Sequence, residues 1–97
     1  MIGRINKNEE RLDNIQETIK ELELVLNKLK ASKKDLKLLN KYYGSKNWFK
    51  DKEAYENNLI PKIKAGVLSE DAVWNMNEEL NDLLEEIKKI INECKNI

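Results

Sequence analysis

From Ile5 to Leu29 the apolar positions fall at Ile5, Leu12, Ile15, Ile19, Leu22, Leu26 and Leu29, spaced by seven, four and three. Such spacing keeps one face of a helix apolar and is the signature of a heptad seam. Asn8 is the only break in the row, and Val25 widens the stripe on one side. Leu36, Leu39 and Tyr43 continue it, and no Gly or Pro intervenes between Arg4 and Tyr43. The pattern predicts a long helix over about 5–43. Ser32 followed by Asp35 has the form of a helix start, so a kink or restart near residue 32 is allowed. A second seam runs through Val73, Met76, Leu80, Leu83, Ile87, Ile90, Cys94 and Ile97, flanked by Leu84 and Ile91. It predicts a helix over about 70–95, opened by Ser69 with Glu70 and Asp71 against the positive end of the helix dipole.

Between the seams the punctuation changes. Gly44 suits the residue after a helix end, where a left-handed conformation is needed. Ser45 then caps a short helix over 46–57 that carries Trp48, Phe49 and Tyr55. Asn57-Asn58 and Leu59-Ile60-Pro61 read as a turn, because proline disfavours helix at the residue before it. Lys62 to Val67 has room for one helical turn, closed by Gly66. The expected fold is all-α and a single domain over residues 1–97. Two long amphipathic helices pack antiparallel, and a short helical connector caps one end. The stripes are wider than a two-helix coil needs. A homodimer, forming a four-helix bundle, is therefore expected slightly ahead of a monomer.

Composition agrees with long helices. Of the 97 residues, 37% are charged and 6% aromatic, with three Gly and one Pro. Eighteen basic and eighteen acidic residues cancel, so no net charge favours nucleic acid or an anionic membrane. The charge is nonetheless uneven. Residues 28–52 hold nine Lys and two Asp, whereas residues 70–86 hold seven acids and no base. The single cysteine, Cys94, permits no internal disulfide. Its place on the seam reads as a small core residue. No stretch of about 18 apolar residues is present to span a membrane. Met1–Glu10 also lacks the apolar core of a signal peptide, and the expected compartment is the cytoplasm.

Candidate chemistry is sparse. There is no His, which removes the commonest general base and metal ligand. The carboxylates Glu78, Asp82, Glu85 and Glu86 share a helical face, but no loop wraps oxygen ligands around an ion. The isolated glycines form no phosphate loop. The expectation is a protein that is not an enzyme and needs no cofactor or metal. All six aromatics lie between Tyr42 and Trp74. Tyr and Trp are favoured at binding hot spots, so Tyr42, Trp48 and Phe49, with Lys46, Lys50 and Lys52 around them, are the candidate partner-binding residues. The alternative is a mini-core closing the end of the bundle. Trp48 and Phe49 are adjacent on a helix and cannot face the same way. The leading functional expectation is a protein-interaction module or adaptor. The alternatives are a helical hairpin linked to specialised secretion and a nucleic-acid binder using the lysine-rich 28–52 segment.

The middle of the chain also carries a resemblance. Tyr42-Tyr43-Gly44-Ser45 with Trp48 and Asp51 forms one motif. Pro61 and Gly66-Val67-Leu68-Ser69-Glu70-Asp71 form a second. Together they resemble the motifs of a family of small all-helical bacterial proteins catalogued as a domain of unknown function. The similarity covers most of the chain and is sharpest from Leu39 to Asp71. It implies a helical protein of about this length and supplies no activity and no functional residues. Asn58-Leu59-Ile60 departs from the pattern, which has Leu-Leu before the proline.

Overall fold

A computed structural model describes the whole chain, Met1–Ile97. It is all-α: helix α1 (Ile2–Tyr42), helix α2 (Lys46–Glu56), a short 3₁₀ turn (Gly66–Leu68) and helix α3 (Ala72–Lys95). Its contacts separate two compact units, Met1–Leu38 and Leu39–Ile97.

The first unit is the greater part of α1. The helix passes through Ser32 without interruption. The Ser32 hydroxyl donates to the Lys28 carbonyl at 2.8 Å, and Thr18 does the same to Asn14 at 3.0 Å. Both side chains bond back along the helix instead of capping a new one, which removes the reason for a restart. The seam residues Ile5 to Leu29 all lie exposed on this unit, and no residue of α1 is buried.

The second unit contains the core, made of Trp48, Leu68 and Val73. Its first element is the last turn of α1, where Leu39, Tyr42 and Tyr43 are half-buried. Gly44 follows at φ +76°, and the Ser45 N–H returns to the Tyr42 carbonyl at 3.0 Å. Ser45 then accepts a hydrogen bond from the Trp48 N–H at 3.2 Å, the N-cap that starts α2. The far end of α2 closes with a Schellman arrangement. Asn58 sits at φ +58°, its N–H bonds the Tyr55 carbonyl, and the Leu59 N–H reaches the Ala54 carbonyl at 2.9 Å. Asparagine takes the left-handed position here because its short polar side chain tolerates it.

Two local expectations change. Lys62–Ala65 forms no helical turn, and Gly66 opens the 3₁₀ turn that it was expected to close. Pro61 disfavours helix at Ile60, and the first bond of the turn forms between the Leu68 N–H and the Ala65 carbonyl, at 3.0 Å. Helix α3 begins at Ala72, two residues later than expected. The Ser69 hydroxyl still accepts from the first helical N–H, that of Ala72, at 2.9 Å. Along α3, Val73 is buried, Met76 and Leu80 are half-buried, and Leu83 onward is exposed. Cys94, read as a core residue, is an exposed free thiol, because the buried part of α3 ends about four turns earlier.

The hinge from α1 to α2 rests on a glycine for a conformational reason. A Cβ at Gly44 meets nothing within 4 Å, so only the left-handed backbone penalises it. Gly44→Ala is expected to lower stability by about 1–2 kcal/mol. Gly66→Ala, at a site with negative φ and equally open space, is expected to change it by under about 0.5 kcal/mol. Denaturant unfolding of both variants measures the difference.

Candidate functional site

The first turns of α2 divide the candidate residues between two faces. Trp48 points inward and is 4% exposed. Its indole Nε1–H donates to the Val67 carbonyl at 2.8 Å, so the ring's one polar group is satisfied inside the core. Tyr43 packs edge-to-face on the indole with centroids 5.2 Å apart, and the Tyr43 hydroxyl donates to the Glu70 carbonyl at 2.6 Å. One aromatic pair thus ties the end of α1, the start of α2 and the lead-in to α3 into a single cluster.

Phe49, the next residue, is 60% exposed. Its ring stands edge-on to Trp48 at 4.9 Å, so one edge is supported while the outer face is bare. Lys46, three residues before it, is its neighbour on the helix surface, whereas Lys50, one residue after, is turned about 100° away from it. Both are exposed, and neither forms an ion pair. The exposed side of α2 thus carries the Phe49 ring to one side of two lysines without ion-pair partners, Lys46 and Lys50.

The remaining candidates are committed elsewhere. Lys52 is half-buried, bonded to Glu56 at 2.8 Å and within 3.5 Å of Glu70. The hydrogen bond to Glu56 raises its pKa despite some opposing desolvation. Its Nζ also lies 6.0 Å from the Trp48 ring centroid, over the inward side of α2. Tyr42 is half-buried, and its hydroxyl donates to Asp51 Oδ2 at 2.7 Å. That hydrogen bond, followed by burial and by the Asp51 charge, pushes the phenol up to about 12. Trp48, Lys52 and Tyr42 hold the surface in place, whereas Lys46, Phe49 and Lys50 compose it.

Two features escaped the sequence reading. Trp74, in the first turn of α3, is as exposed as Phe49; seam spacing alone places it beside Val73 and off the buried face. Asn40 and Asn77 exchange amide hydrogen bonds at 2.8 and 3.3 Å, a polar clasp between the ends of α1 and α3. Two asparagines separated by 37 positions carry no local signal of such a pairing. The most marked surface hollows each lie along one helix only, beside Met1, Ile5 and Leu12 or beside Lys88, Ile91 and Lys95. Neither combines side chains from two elements.

A sequence model of the family described as "Domain of unknown function (DUF4298)" matches residues 5–94. No curated protein and no solved structure matches the chain.

Two outcomes follow from the division of faces. Trp48→Ala removes a buried ring and strands the Val67 carbonyl, and is expected to cost about 3–5 kcal/mol in thermal or denaturant unfolding. Phe49→Ala, which gives up only the edge contact with Trp48, is expected to cost about 0.5–1.5 kcal/mol. A separate test uses pH. The neutral Tyr42 phenol is favoured in the folded state, so its contribution is complete below the unfolded pKa near 10. It is lost as pH rises through the folded value near 12. Ultraviolet titration should show a late phenolate that is lost in Tyr42→Phe and moved back toward 10 by Asp51→Asn.

Proposed function

The chain belongs to the DUF4298 family, and we propose that it is a non-enzymatic protein-interaction module whose contact point is the outer face of α2. The observation that carries this reading is the exposed Phe49 ring beside the unpaired Lys46, with the unpaired Lys50 further round the same exposed side, on a helix anchored by Trp48. A rigid, exposed aromatic ring suits an interface anchor, since it buries area at little entropic cost. Two free cations beside it favour a partner that offers an apolar pocket rimmed by Asp and Glu, and they speed encounter with such a surface. The lack of any His supports a role without acid–base chemistry at neutral pH.

We place the module in the cytoplasm. The exposed, unpaired thiol of Cys94 suits a reducing compartment, and no helix is long and apolar enough to cross a membrane.

Affinity co-purification from the native host with mass-spectrometric identification tests the reading. A stoichiometric partner is expected with the unaltered chain. It should be lost in Phe49→Ala and weakened in Lys46→Glu/Lys50→Glu, while these variants still unfold cooperatively with a melting temperature lowered by no more than about 10 °C. Retention of the same partner by all of these variants would move the contact point off α2. Capture of nucleic acid in place of protein, removed by moderate salt, would replace the reading with the lysine-rich 28–52 segment as a phosphate-binding surface.

A further inference from the structure

The seam of α1 is the largest regular feature that the aromatic cluster does not use. Ile5, Leu12, Ile15, Ile19, Leu22, Leu26 and Leu29 are between 38% and 61% exposed. So long an apolar stripe on a water-facing helix marks an association surface. Its repeat is strictly seven residues. On a straight helix such a stripe drifts by about 20° per heptad, and it stays in contact only with another helix that supercoils around it. The repeat thus points to a helical occupant and not to a flat surface or a small ligand.

We infer that the occupant is a second copy of this chain, with the two α1 helices paired antiparallel so that Ile19 of each faces Leu22 of the other. In that register Ile5 faces Leu36, Leu12 faces Leu29 and Ile15 faces Leu26, each contact occurring twice through the two-fold axis. The two polar positions of the seam, Asn8 and Lys33, then face each other. The Asn8 side-chain carbonyl, which accepts from Arg11 Nη1 at 3.0 Å, has a second lone pair for that ammonium, so neither polar group is set against an apolar layer. The alternatives are worse. Sliding the partner by one heptad sets Asn8 against Leu26 in one direction and Lys33 against Ile15 in the other. Parallel pairing in register sets Lys33 against Lys33, two like charges on the seam. A single polar layer is a well-attested device for choosing one register over others. The positions flanking the seam agree: Glu9 meets Lys30 of the second copy, Glu23 meets Gln16, and Arg11 meets Ser32, with no like-charged pair.

This surface is separate from the Phe49 face, so either reading can fail without the other. The test is sedimentation equilibrium of the full chain under reducing conditions, which keep Cys94 from cross-linking copies. A mass about twice 11.4 kDa is expected at tens of micromolar. Ile19→Asp is expected to return it to the single-chain value while the near-ultraviolet circular dichroism of Trp48 persists. Orientation is read from a charge swap. Glu9→Lys and Lys30→Glu should each weaken self-association about 5-fold, since each spoils two exposed ion pairs. Both together in one chain should restore it to within about 2-fold of the parent. A parallel pair sets neither residue against the other and would give additive losses. Additive losses, or a single-chain mass at every concentration, overturn the inference.

Discussion

The hydrogen bond from the Trp48 indole to the Val67 carbonyl is the constraint on which the second unit depends. The core of that unit is small, three buried side chains, and Trp48 is by far the largest of them. So few apolar residues define a position loosely unless something directional fixes their geometry. The indole N–H supplies that direction. It aligns α2 with the 3₁₀ turn that contains Val67, and a satisfied polar group also excludes alternative packings in which it would be stranded. Tyr43 then joins α1 to the same cluster through its edge contact with Trp48 and its bond to Glu70.

The functional proposal grows from that anchoring. An exposed phenylalanine on a mobile segment would lose much of its binding energy in ordering. Phe49 stands on a helix whose N-terminus is capped by Ser45, whose C-terminus is closed through Asn58, and whose inner face is pinned at Trp48. The neighbouring Lys52 is drawn inward by Glu56 and Glu70, whereas Lys46 and Lys50 are left free. Lysines in one short helix thus acquire two roles according to which face they occupy.

The two units answer different physical problems. The second encloses a core of its own, however small. The first is a solvent-exposed helix whose apolar seam has no burial of its own to draw on. A domain near this size has little surface to spare for burial, and an isolated helix gains most of its stability from packing its apolar face. The seam of α1 therefore matters as a demand for a partner helix, and the polar layer at Asn8 and Lys33 narrows which helix and which direction.

Most of the helices were legible in the sequence because their signals are local. The seven-residue repeat, Gly44 after Tyr43, Ser45 three residues before the Trp48 amide and Ser69 before α3 each act within one or two turns. Errors arose where a local signal had another local use: Ser32 bonds back to Lys28 in place of capping, and Gly66 opens a 3₁₀ turn in place of closing a helical one. The candidate site was legible only as a neighbourhood. Helix geometry dictates that Trp48 and Phe49 face apart, but either could have been the inward one. Tertiary structure decided it, because Val67 arrives from a distant part of the chain at the position where the indole N–H finds an acceptor. The Asn40–Asn77 clasp and the capture of Lys52 by Glu70 belong to the same class. The sequence by itself determined where helices begin, end and turn apolar; only the tertiary structure determined which side chains meet, since long-range contacts depend on where whole elements come to lie.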